Sequence, residues 1–288
     1  MFDLRKELSR KIWNIGFIDA HHLDDVVHKR WDIQFLVHHE KKWFADPFIL
    51  DVLDHEIHLL VEEMDFSRTT GRIALLKVDR QTYELKSVKI LLELDSHLSF
   101  PAIIRKDNRV YVYPENSKSG SLKLYEYHVE EERLSLVEHM IDMPLTDAIY
   151  YKDGEGDYVF STVMPDPNGK TLYVYRKEGN TFGLFQEIVF NDNSARNAGD
   201  VFRMDGMLVR PTQNCNDYYG SGMVFQRMEK ENGIFRFEEI GRVNPPSRYN
   251  GLHTFNQYKG VTVVDVRQAA HPLIHSLYIH LGKAFRRL

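Results

Sequence analysis

Ionisable side chains mark the points where apolar segments of this chain begin and end. Asp46, Asp147 and His253 stand at or near the start of such segments, and Glu115 and Asp265 stand at the end of others. Burying an unpaired charge is costly, so such residues lie either at a wetted rim or in pairs that serve a purpose. Several of them converging from different segments would form a concave polar pocket, which is the usual form of a ligand site.

The same residues belong to five copies of one short pattern. Each copy is an apolar run, a polar turn that usually holds Asp or Gly, and a second apolar run. The first runs align at Asp46, Phe100, Asp147, Ala198 and Gly251, with successive differences of 54, 47, 51 and 53 residues. A period of about 50 residues is typical of a β-propeller with one unit per blade.

We therefore predict an all-β fold, a five-bladed β-propeller with four-stranded antiparallel blades. It forms a single domain over residues 1–288, with blades beginning near residues 46, 100, 147, 198 and 251. Residues 1–45 supply an N-terminal arm and closing strands. The arm over 2–12 is either a short helix or extended, and the closing strands are predicted at 13–18 and 33–38. The alternative is a β-sandwich in which the spacing is coincidental. A sandwich has regularly spaced strands but normally shows no repeat of about fifty residues.

Composition narrows the possible partners. The net charge of −5 gives no basic field for nucleic acid. Cys215 is the single cysteine, so no intrachain disulfide forms, which fits a reducing compartment. The N-terminus lacks the apolar segment of a secretory signal, and no apolar run is long enough to span a membrane. These features predict a cytoplasmic location.

In a propeller, the first strand of each blade lines the central channel. The start of that strand and the end of the second strand lie at one edge, so one face of the molecule collects both sets of residues. The starts supply Asp46, His97, Ser99, Phe100, Asp147, Arg196, Asp200 and His253. The ends supply Glu62, Glu63, Glu115, Ser161, Thr162, Arg210, Gln213, Asp265 and Arg267. The alternative is that these residues are strand caps and solvated edges.

The segment WFADPFIL, with Asp46-Pro47 followed by a hairpin and four further blades, resembles the five-bladed propeller glycosidases of families 43 and 32. The resemblance implies that Asp46 is a general base or nucleophile. In that group a second Asp from a later blade tunes the acid, and a Glu from another blade is the general acid.

A second resemblance covers nearly the whole chain. It is carried by HLSFPAIIRKDNRVYVYPENSKSGSLKLYEY, RNAGDVFRMDGMLVRPTQNCNDYYGSGMVF and GLHTFN. These segments are similar to a propeller family whose members occur alone in bacteria, often beside polysaccharide-synthesis genes. A similar domain precedes the transferase domain of plant glucosamine inositolphosphorylceramide transferases. This resemblance implies a carbohydrate or sugar conjugate as the partner.

The chain departs from the glycosidases at two positions. The second blade starts at Phe100 rather than Asp, and Ala198-Gly199-Asp200 stands where the acid Glu would be. Hydrolysis normally needs two carboxyl groups that flank the bond. Glu115 and Asp147 are the candidates to complete a pair with Asp46. Glu115 is the better acid candidate, because it ends an apolar strand where desolvation would raise its pKa.

Further residues are predicted to bind the substrate. Arg210 and Gln213 in VRPTQ suggest a ligand cluster, since Arg grips carboxylate or phosphate with two hydrogen bonds; the alternative is a structural Arg paired with Asp217. Tyr219 could stack on a sugar ring or pack in a wall. The full predicted set is His97, Arg196, Asp200, Arg210, Gln213, Tyr219, His253 and Asp265.

No metal and no cofactor are predicted. The His271-x-x-x-His275 spacing lacks a third ligand, and no phosphate-binding Gly-rich loop occurs. An ion in the central channel, as in some propeller glycosidases, stays open as an alternative.

Two functions follow, and a protein-contact scaffold is a weaker third. One is a glycoside hydrolase-like enzyme that uses Asp46 with Glu115 or Asp147. The other is a non-hydrolytic sugar-binding or glycosyl-transfer component of polysaccharide biosynthesis. The oligomeric state is not predicted.

Overall fold

A computed structural model describes residues 11–38, 40–65 and 68–269. The described residues form a five-bladed β-propeller in which every blade is a four-stranded antiparallel sheet. The predicted fold is therefore confirmed. The predicted N-terminal arm over 2–12 and the His271/His275 pair fall mostly or wholly outside the described residues.

Blades I and II each use four consecutive strands, with the first strand innermost. Blade I consists of β3 (Lys42–Val52), β4 (Glu56–Asp65), β5 (Arg72–Asp79) and β6 (Leu85–Leu92). Blade II consists of β7 (Ser99–Lys106), β8 (Arg109–Glu115), β9 (Leu122–His128) and β10 (Arg133–Ile141), with a 3-10 turn at Ser117–Ser119.

Blades III and IV repeat this order. Blade III consists of β11 (Leu145–Lys152), β12 (Asp157–Val163), β13 (Thr171–Glu178) and β14 (Thr181–Val189). Blade IV consists of β15 (Phe202–Met204), β16 (Met207–Asn214), β17 (Gly222–Glu231) and β18 (Ile234–Val243).

Blade V joins the two ends of the chain. Its inner strands are β19 (Gly251–Tyr258) and β20 (Val261–Ala269), and its outer strands are β1 (Lys11–Ile18) and β2 (Ile33–Phe35). The strands predicted over 13–18 and 33–38 thus close the ring. Their connection holds a short helix, α1 (Leu23–Val27), which the sequence analysis missed. It forms because Leu23 and Val26 share a buried face.

Burial follows the position of a strand in its blade. The third strand of blade I, RIALLKVD, is mostly buried because neighbouring blades cover both of its faces. The outermost strand of blade II, RLSLVEHMI, is largely exposed. Aromatic rings fill the contacts between blades, and Phe160 meets Phe235 edge-on at 5.0 Å between the ring centres.

A β-bulge interrupts the innermost strand of every blade near its start. In blade I, Ala45 lies opposite Glu62 while Phe48 lies opposite Leu60, so β3 carries one extra residue. The same shift follows Ser99, Thr146 and Leu252 in blades II, III and V. Blade IV has a longer insertion, because Asn197 bridges Thr212 whereas Phe202 pairs with Val209. A bulge re-aims side chains and often lies beside a site.

The bulges fix which residues are equivalent between blades. Asp46, Phe100 and Asp147 occupy the bulge in blades I to III with φ of 50°, 45° and 45°. Gly199 has φ of 151° in blade IV. In blade V the bulge falls at His253, two residues after Gly251, where the sequence alignment placed the fifth copy. That alignment was wrong there, although β19 itself begins at Gly251.

Within the described part of the chain, we find no helix of the length and apolarity that a membrane span requires.

Candidate functional site

The bulges gather polar side chains at the centre of one face, where the inner strands begin. We call this group the polar centre and define it as Asp46, Glu115, Asp147, Arg196, Gln213, Tyr219, His253 and Asp265. All but Tyr219 are buried. These residues come from all five blades, so the structure brings together most of the set that the sequence predicted.

Asp46 links blade I to blades II and V. Its Oδ2 accepts a hydrogen bond from the backbone N–H of Phe100, and its Oδ1 accepts one from the Thr254 hydroxyl, both at 3.0 Å. Burial raises the pKa of the Asp46 carboxyl to about 7, although the charge of His253 acts in the opposite direction. Asp46 therefore exchanges its proton near neutral pH.

Arg196 binds the other two predicted catalytic carboxyl groups. Its Nε donates to Oδ2 of Asp147 at 2.6 Å, and its Nη2 donates to Oε2 of Glu115 and Oδ1 of Asp147 at 3.3 Å. Its Nη1 donates to Asn168 at 3.0 Å. With three of its nitrogens engaged in this way, the guanidinium is committed to protein partners.

The two carboxyl groups beside Arg196 have pKa values shifted in opposite directions. Burial acts to raise the pKa of Asp147, but the adjacent guanidinium outweighs it and holds this pKa below its usual value. Burial, and then the charge of Asp147, raise the pKa of Glu115 well above its usual range. Glu115 is also tied down, because it accepts the Asp147 N–H at 3.0 Å and the Ser117 hydroxyl at 3.0 Å.

Gln213 completes the surroundings of Asp147. Its Nε2 donates to Oδ2 of Asp147 at 2.6 Å and to the carbonyl of Asn197 at 3.0 Å. Asn197 in turn donates to the Asp147 carbonyl at 2.6 Å. The sequence analysis found Gln213 but missed Asn197, because the insertion in blade IV hides its place in the repeat.

His253 and Asp265 form a hydrogen-bonded pair in blade V. Nδ1 of His253 lies 2.8 Å from Oδ1 of Asp265, and the His253 ring stacks on Trp13 at 3.8 Å between ring centres. Burial acts to lower the pKa of His253, but the charges of Asp265 and then Asp46 raise it above its usual value. Trp13 was predicted only as part of a strand, since nothing in its local sequence indicates that β1 reaches the site.

Tyr219 covers the polar centre. Its ring lies 4.9 Å from the Arg196 guanidinium and meets the His253 ring edge-on at 5.2 Å. Burial raises the pKa of the Tyr219 hydroxyl well above its usual value, so the hydroxyl stays a hydrogen-bond donor. The half-buried ring offers the aromatic surface that the sequence analysis anticipated.

His97 stands at the rim rather than in the centre. Its Nε2 lies 3.2 Å from Oε1 of Glu62, and its Nδ1 accepts the Gly71 N–H at 2.9 Å. Burial acts to lower the pKa of His97, but Glu62 raises it above its usual value. Glu63, which was expected on the same face, is instead buried against Lys42 and Arg72.

Besides His97, two predicted substrate-binding residues, Asp200 and Arg210, lie outside the polar centre. Arg210 is 1% exposed and donates to Asn197 and Gln226 at 2.8 and 2.7 Å, under the rings of Phe190 and Phe237. It is a structural residue of blade IV, although its partner is not Asp217. Asp200 lies in the blade IV insertion, where its N–H donates to Asn256 at 2.8 Å, and burial raises the pKa of its carboxyl to about 7.

Asp46, His253 and Asp265 form a group that could hold a metal ion. The geometry of Asp265 fits this poorly, because its two oxygens already accept four N–H donors. These are the backbone N–H groups of Asp46, His253 and Thr254, and Nδ1 of His253. A carboxylate has about four lone-pair positions, so an ion would have to displace existing hydrogen bonds.

Comparisons with known proteins give a consistent picture. A family model described as "Glucosamine inositolphosphorylceramide transferase 1, N-terminal" matches residues 36–244. Two similar relatives carry the name glucosamine inositolphosphorylceramide transferase 1. The one from Oryza sativa subsp. japonica is 27% identical over 195 residues, which cover 65% of this chain and 26% of the relative. The one from Arabidopsis thaliana is 25% identical over 216 residues, 71% of this chain and 27% of the relative.

The chain therefore spans about a quarter of the length of the curated relatives it matches. Among solved structures, a GH43_1 enzyme from Xanthomonas citri complexed with xylotriose has a TM-score of 0.54 and 12% identity, covering 80% of this chain and 87% of that chain. An exo-β-1,3-galactanase from Phanerochaete chrysosporium with β-1,3-galactotriose has a TM-score of 0.55 and 8% identity, covering 72% and 53%. At these identities the likeness shows the shared propeller fold.

Proposed function

The chain belongs to the family of the N-terminal domains of glucosamine inositolphosphorylceramide transferases, and from that premise we propose that it binds a glycan or sugar conjugate at the polar centre. Two curated relatives are named glucosamine inositolphosphorylceramide transferase 1. Propellers of the same fold have been solved with xylotriose and β-1,3-galactotriose bound. Both observations support a carbohydrate as the partner.

The observation that carries the proposal is the convergence of blades I, III, IV and V on one small region. Asp46, Asp147, Arg196 and His253 supply hydrogen-bonding groups there, and Tyr219 supplies a ring beside them. Sugar sites combine such polar groups with an aromatic surface, because a sugar ring presents both hydroxyl edges and apolar faces.

The contacts favour recognition over hydrolysis. A glycosidase needs an acid and a base that both face the scissile bond. Arg196 holds Glu115 and Asp147 on the same guanidinium, and Glu115 uses both of its oxygens on protein donors. Ala198-Gly199-Asp200 stands where the resemblance to the glycosidases expects the acid Glu. Its one carboxyl group, that of Asp200, lies in the blade IV insertion outside the polar centre.

Hydrolysis is the second candidate, and one observation favours it. The environment pushes two carboxyl groups of the polar centre in opposite directions, with the pKa of Asp46 raised to about 7 and that of Asp147 held low. A protonated carboxyl group near an ionised one is how enzymes assign an acid and a base. In this candidate Asp46 gives or takes the proton, and Asp147 stays ionised.

A thermal-shift screen of oligosaccharides and nucleotide sugars tests both candidates, with product analysis of every stabilising compound. Wild type is compared with Asp46→Asn, and Asp51→Asn serves as the matched control because Asp51 lies on the same strand beyond the polar centre. A ligand at 100 times its Kd should stabilise the fold by about 2.7 kcal/mol. Stabilisation without products in wild type supports recognition.

Other outcomes are equally informative. Products that appear with wild type and the control but not with Asp46→Asn would support hydrolysis instead. The absence of any stabilising sugar at millimolar concentration would contradict the proposal. We further propose a cytoplasmic location and a single domain. We also propose that nucleic acid is not a partner, in keeping with the net charge of −5.

A further inference from the structure

We propose that His253 and Asp46 together bind one hydroxyl group of the sugar, with Nε2 of His253 and Oδ1 of Asp46 as the two contact atoms. This inference rests on the proposed function, and it identifies His253 and Asp46 as the pair that determines specificity. Asp265 and Trp13 act as positioning residues, since they fix His253 and do not face the gap.

Asp265 fixes the orientation of the imidazole. Nδ1 of His253 lies 2.8 and 2.7 Å from the two oxygens of Asp265, so Nδ1 carries a hydrogen and donates it. The backbone N–H of His253 binds Oδ1 of the same carboxylate at 3.1 Å. With Nδ1 committed, Nε2 is the ring atom that remains for another partner.

Packing on both sides of the ring prevents it from turning away. Trp13 stacks on one side with an angle of 16° between the planes. Gly220 lies close on another side: a Cβ at that position would be 3.1 Å from Cβ and 3.2 Å from Cδ2 of His253. The Nε2 atom therefore keeps a constant direction, which a specific contact requires.

Nε2 lies 3.8 Å from Oδ1 of Asp46. This separation is too long for a hydrogen bond, yet both atoms belong to buried polar side chains. An oxygen atom placed beside the line that joins them can lie about 2.8 Å from each. The separation of the two atoms thus allows one hydroxyl oxygen to bridge them.

The chemistry of the pair selects a group that both donates and accepts. When Asp46 is protonated and Nε2 is not, a hydroxyl accepts from Asp46 and donates to Nε2. When the proton resides on Nε2, the same hydroxyl accepts from His253 and donates to Asp46. A hydroxyl suits both protonation states, whereas an ammonium group only donates and a carbonyl only accepts.

The Thr254 hydroxyl does not fill this role. Its single hydrogen goes to Oδ1 of Asp46 at 3.0 Å, and its oxygen also lies 3.0 Å from Oδ2 of Asp265. Oδ1 of Asp46 keeps one further lone-pair position for the ligand. A cation is disfavoured there, because four N–H donors already occupy the oxygens of Asp265.

Two substitutions separate the role of Nε2 from that of Nδ1. In His253→Asn the shorter amide can still donate to Asp265, but nothing reaches the gap. In His253→Gln the longer amide places a polar atom near the Nε2 position. His55→Asn, in the exposed turn before β4, is the control. Binding of galactose, D-glucosamine and xylotriose to all four proteins is measured by calorimetry, and wild-type crystals are soaked with the same sugars.

For a sugar that binds wild type, we expect the affinity of His253→Asn to be at least tenfold lower. The affinities of His253→Gln and His55→Asn should each fall by less than threefold. Equal affinity in His253→Asn would overturn the pair while leaving sugar binding intact. If none of the three sugars binds, they are excluded as ligands of the polar centre. The inference is then tested by the atom that the crystal structure shows between Nε2 of His253 and Oδ1 of Asp46. An oxygen atom within about 3.2 Å of both contact atoms supports it. A metal ion there, or a direct Nε2–Oδ1 hydrogen bond, overturns it.

Discussion

At the scale of single residues, Arg196 determines the charge of the polar centre. It is 9% exposed and binds Asp147 and Glu115 at once. Removing one partner of a buried ion pair leaves an uncompensated charge, which is strongly destabilising. Arg196 therefore stabilises the charge of Asp147 more than any other group, and Glu115 and His253 add to its effect.

We predict that Arg196→Met lowers the free energy of unfolding at pH 7 by about 3–5 kcal/mol. The loss should be smaller at pH 4. In the variant, burial would raise the pKa of Asp147 because no guanidinium opposes it, so at pH 4 the carboxyl takes up a proton and the unpaired buried charge disappears. Urea titrations at both pH values measure the two losses.

Arg242→Met is the control for this experiment, because Arg242 forms ion pairs with Asp192 and Glu239 at the surface. It should cost about 1 kcal/mol or less. If the two variants lose the same free energy of unfolding at pH 7, the ion pairs of Arg196 contribute no more to stability than ion pairs at the surface.

Asp200 illustrates the opposite case, a carboxyl group that the fold keeps protonated. Burial raises its pKa to about 7, and Oδ1 accepts the N–H of Val201 at 2.9 Å. We predict that Asp200→Asn, which keeps this acceptor and removes the charge, increases the free energy of unfolding by about 4 kcal/mol at pH 8 and by little at pH 4. Urea unfolding at the two pH values tests this, and an equal effect at both would contradict it.

At the scale of elements, the bulges explain which parts of the site the sequence could predict. The fifty-residue repeat located the hairpins, and so Asp46, Asp147 and Glu115 were placed on the correct face. An extra residue reverses the alternation of side chains beyond it, and no local pattern reveals such a residue. The fifth copy was therefore aligned at Gly251, two residues before His253, which occupies the bulge. Glu63 and Arg210 lie on the second strands β4 and β16, and each is buried against partners of its own blade.

The bulges also connect neighbouring blades. The Asp46 carboxylate accepts the Phe100 N–H, Glu115 accepts the Asp147 N–H, and Asp265 accepts the Asp46 N–H. In blade IV, the N–H of Phe255 donates to the Ala198 carbonyl at 2.7 Å. Residues that resemble catalytic groups in sequence thus have a structural role as well, since they satisfy the backbone that the bulges expose.

Gly199 allows the closest of these contacts. Its φ is +151°, and a Cβ there would lie 2.0 Å from the backbone oxygen of Phe255. We predict that Gly199→Ala lowers the free energy of unfolding by about 2–3 kcal/mol, because the blade IV insertion would have to move away from blade V.

Gly154→Ala is the matched control, since open space surrounds the position of its Cβ. Thermal or urea unfolding of the two variants gives the comparison. If Gly199→Ala is as stable as Gly154→Ala, the insertion adapts to the extra methyl group without cost. The contact between blades IV and V would then not require glycine at position 199.

At the scale of the whole molecule, the ring is closed by pairing between the two ends of the chain. β1 pairs with β20 from Lys11–Ala269 to Ile18–Thr262. This pairing brings Trp13 onto His253, so closure of the ring and assembly of the polar centre are one event. The periodicity of the sequence predicted this closure, but the contact between Trp13 and His253 required the actual register of the two strands.

The buried carboxyl groups give the molecule a characteristic dependence on pH. The pKa values of Asp46 and Asp200 are raised to about 7, and that of Glu115 is raised as well. The folded protein therefore holds protons that the unfolded chain releases above about pH 4. Each such proton decreases the free energy of unfolding by about 1.4 kcal/mol per pH unit between the unfolded and the folded pKa. His253, whose pKa is also raised, acts in the same direction at higher pH.

We accordingly predict that the protein is more stable at pH 5 than at pH 8. Below about pH 4 the trend should reverse, because Asp147 and the carboxylates of surface ion pairs lose their charge. Urea unfolding from pH 3 to pH 9 measures the profile, and the double variant Asp46→Asn/Asp200→Asn should flatten its alkaline side. A stability that rises steadily from pH 5 to pH 8 would show that these carboxyl groups are ionised in the folded protein. The polar centre would then carry a larger negative charge at neutral pH and would favour cationic ligands over neutral sugars.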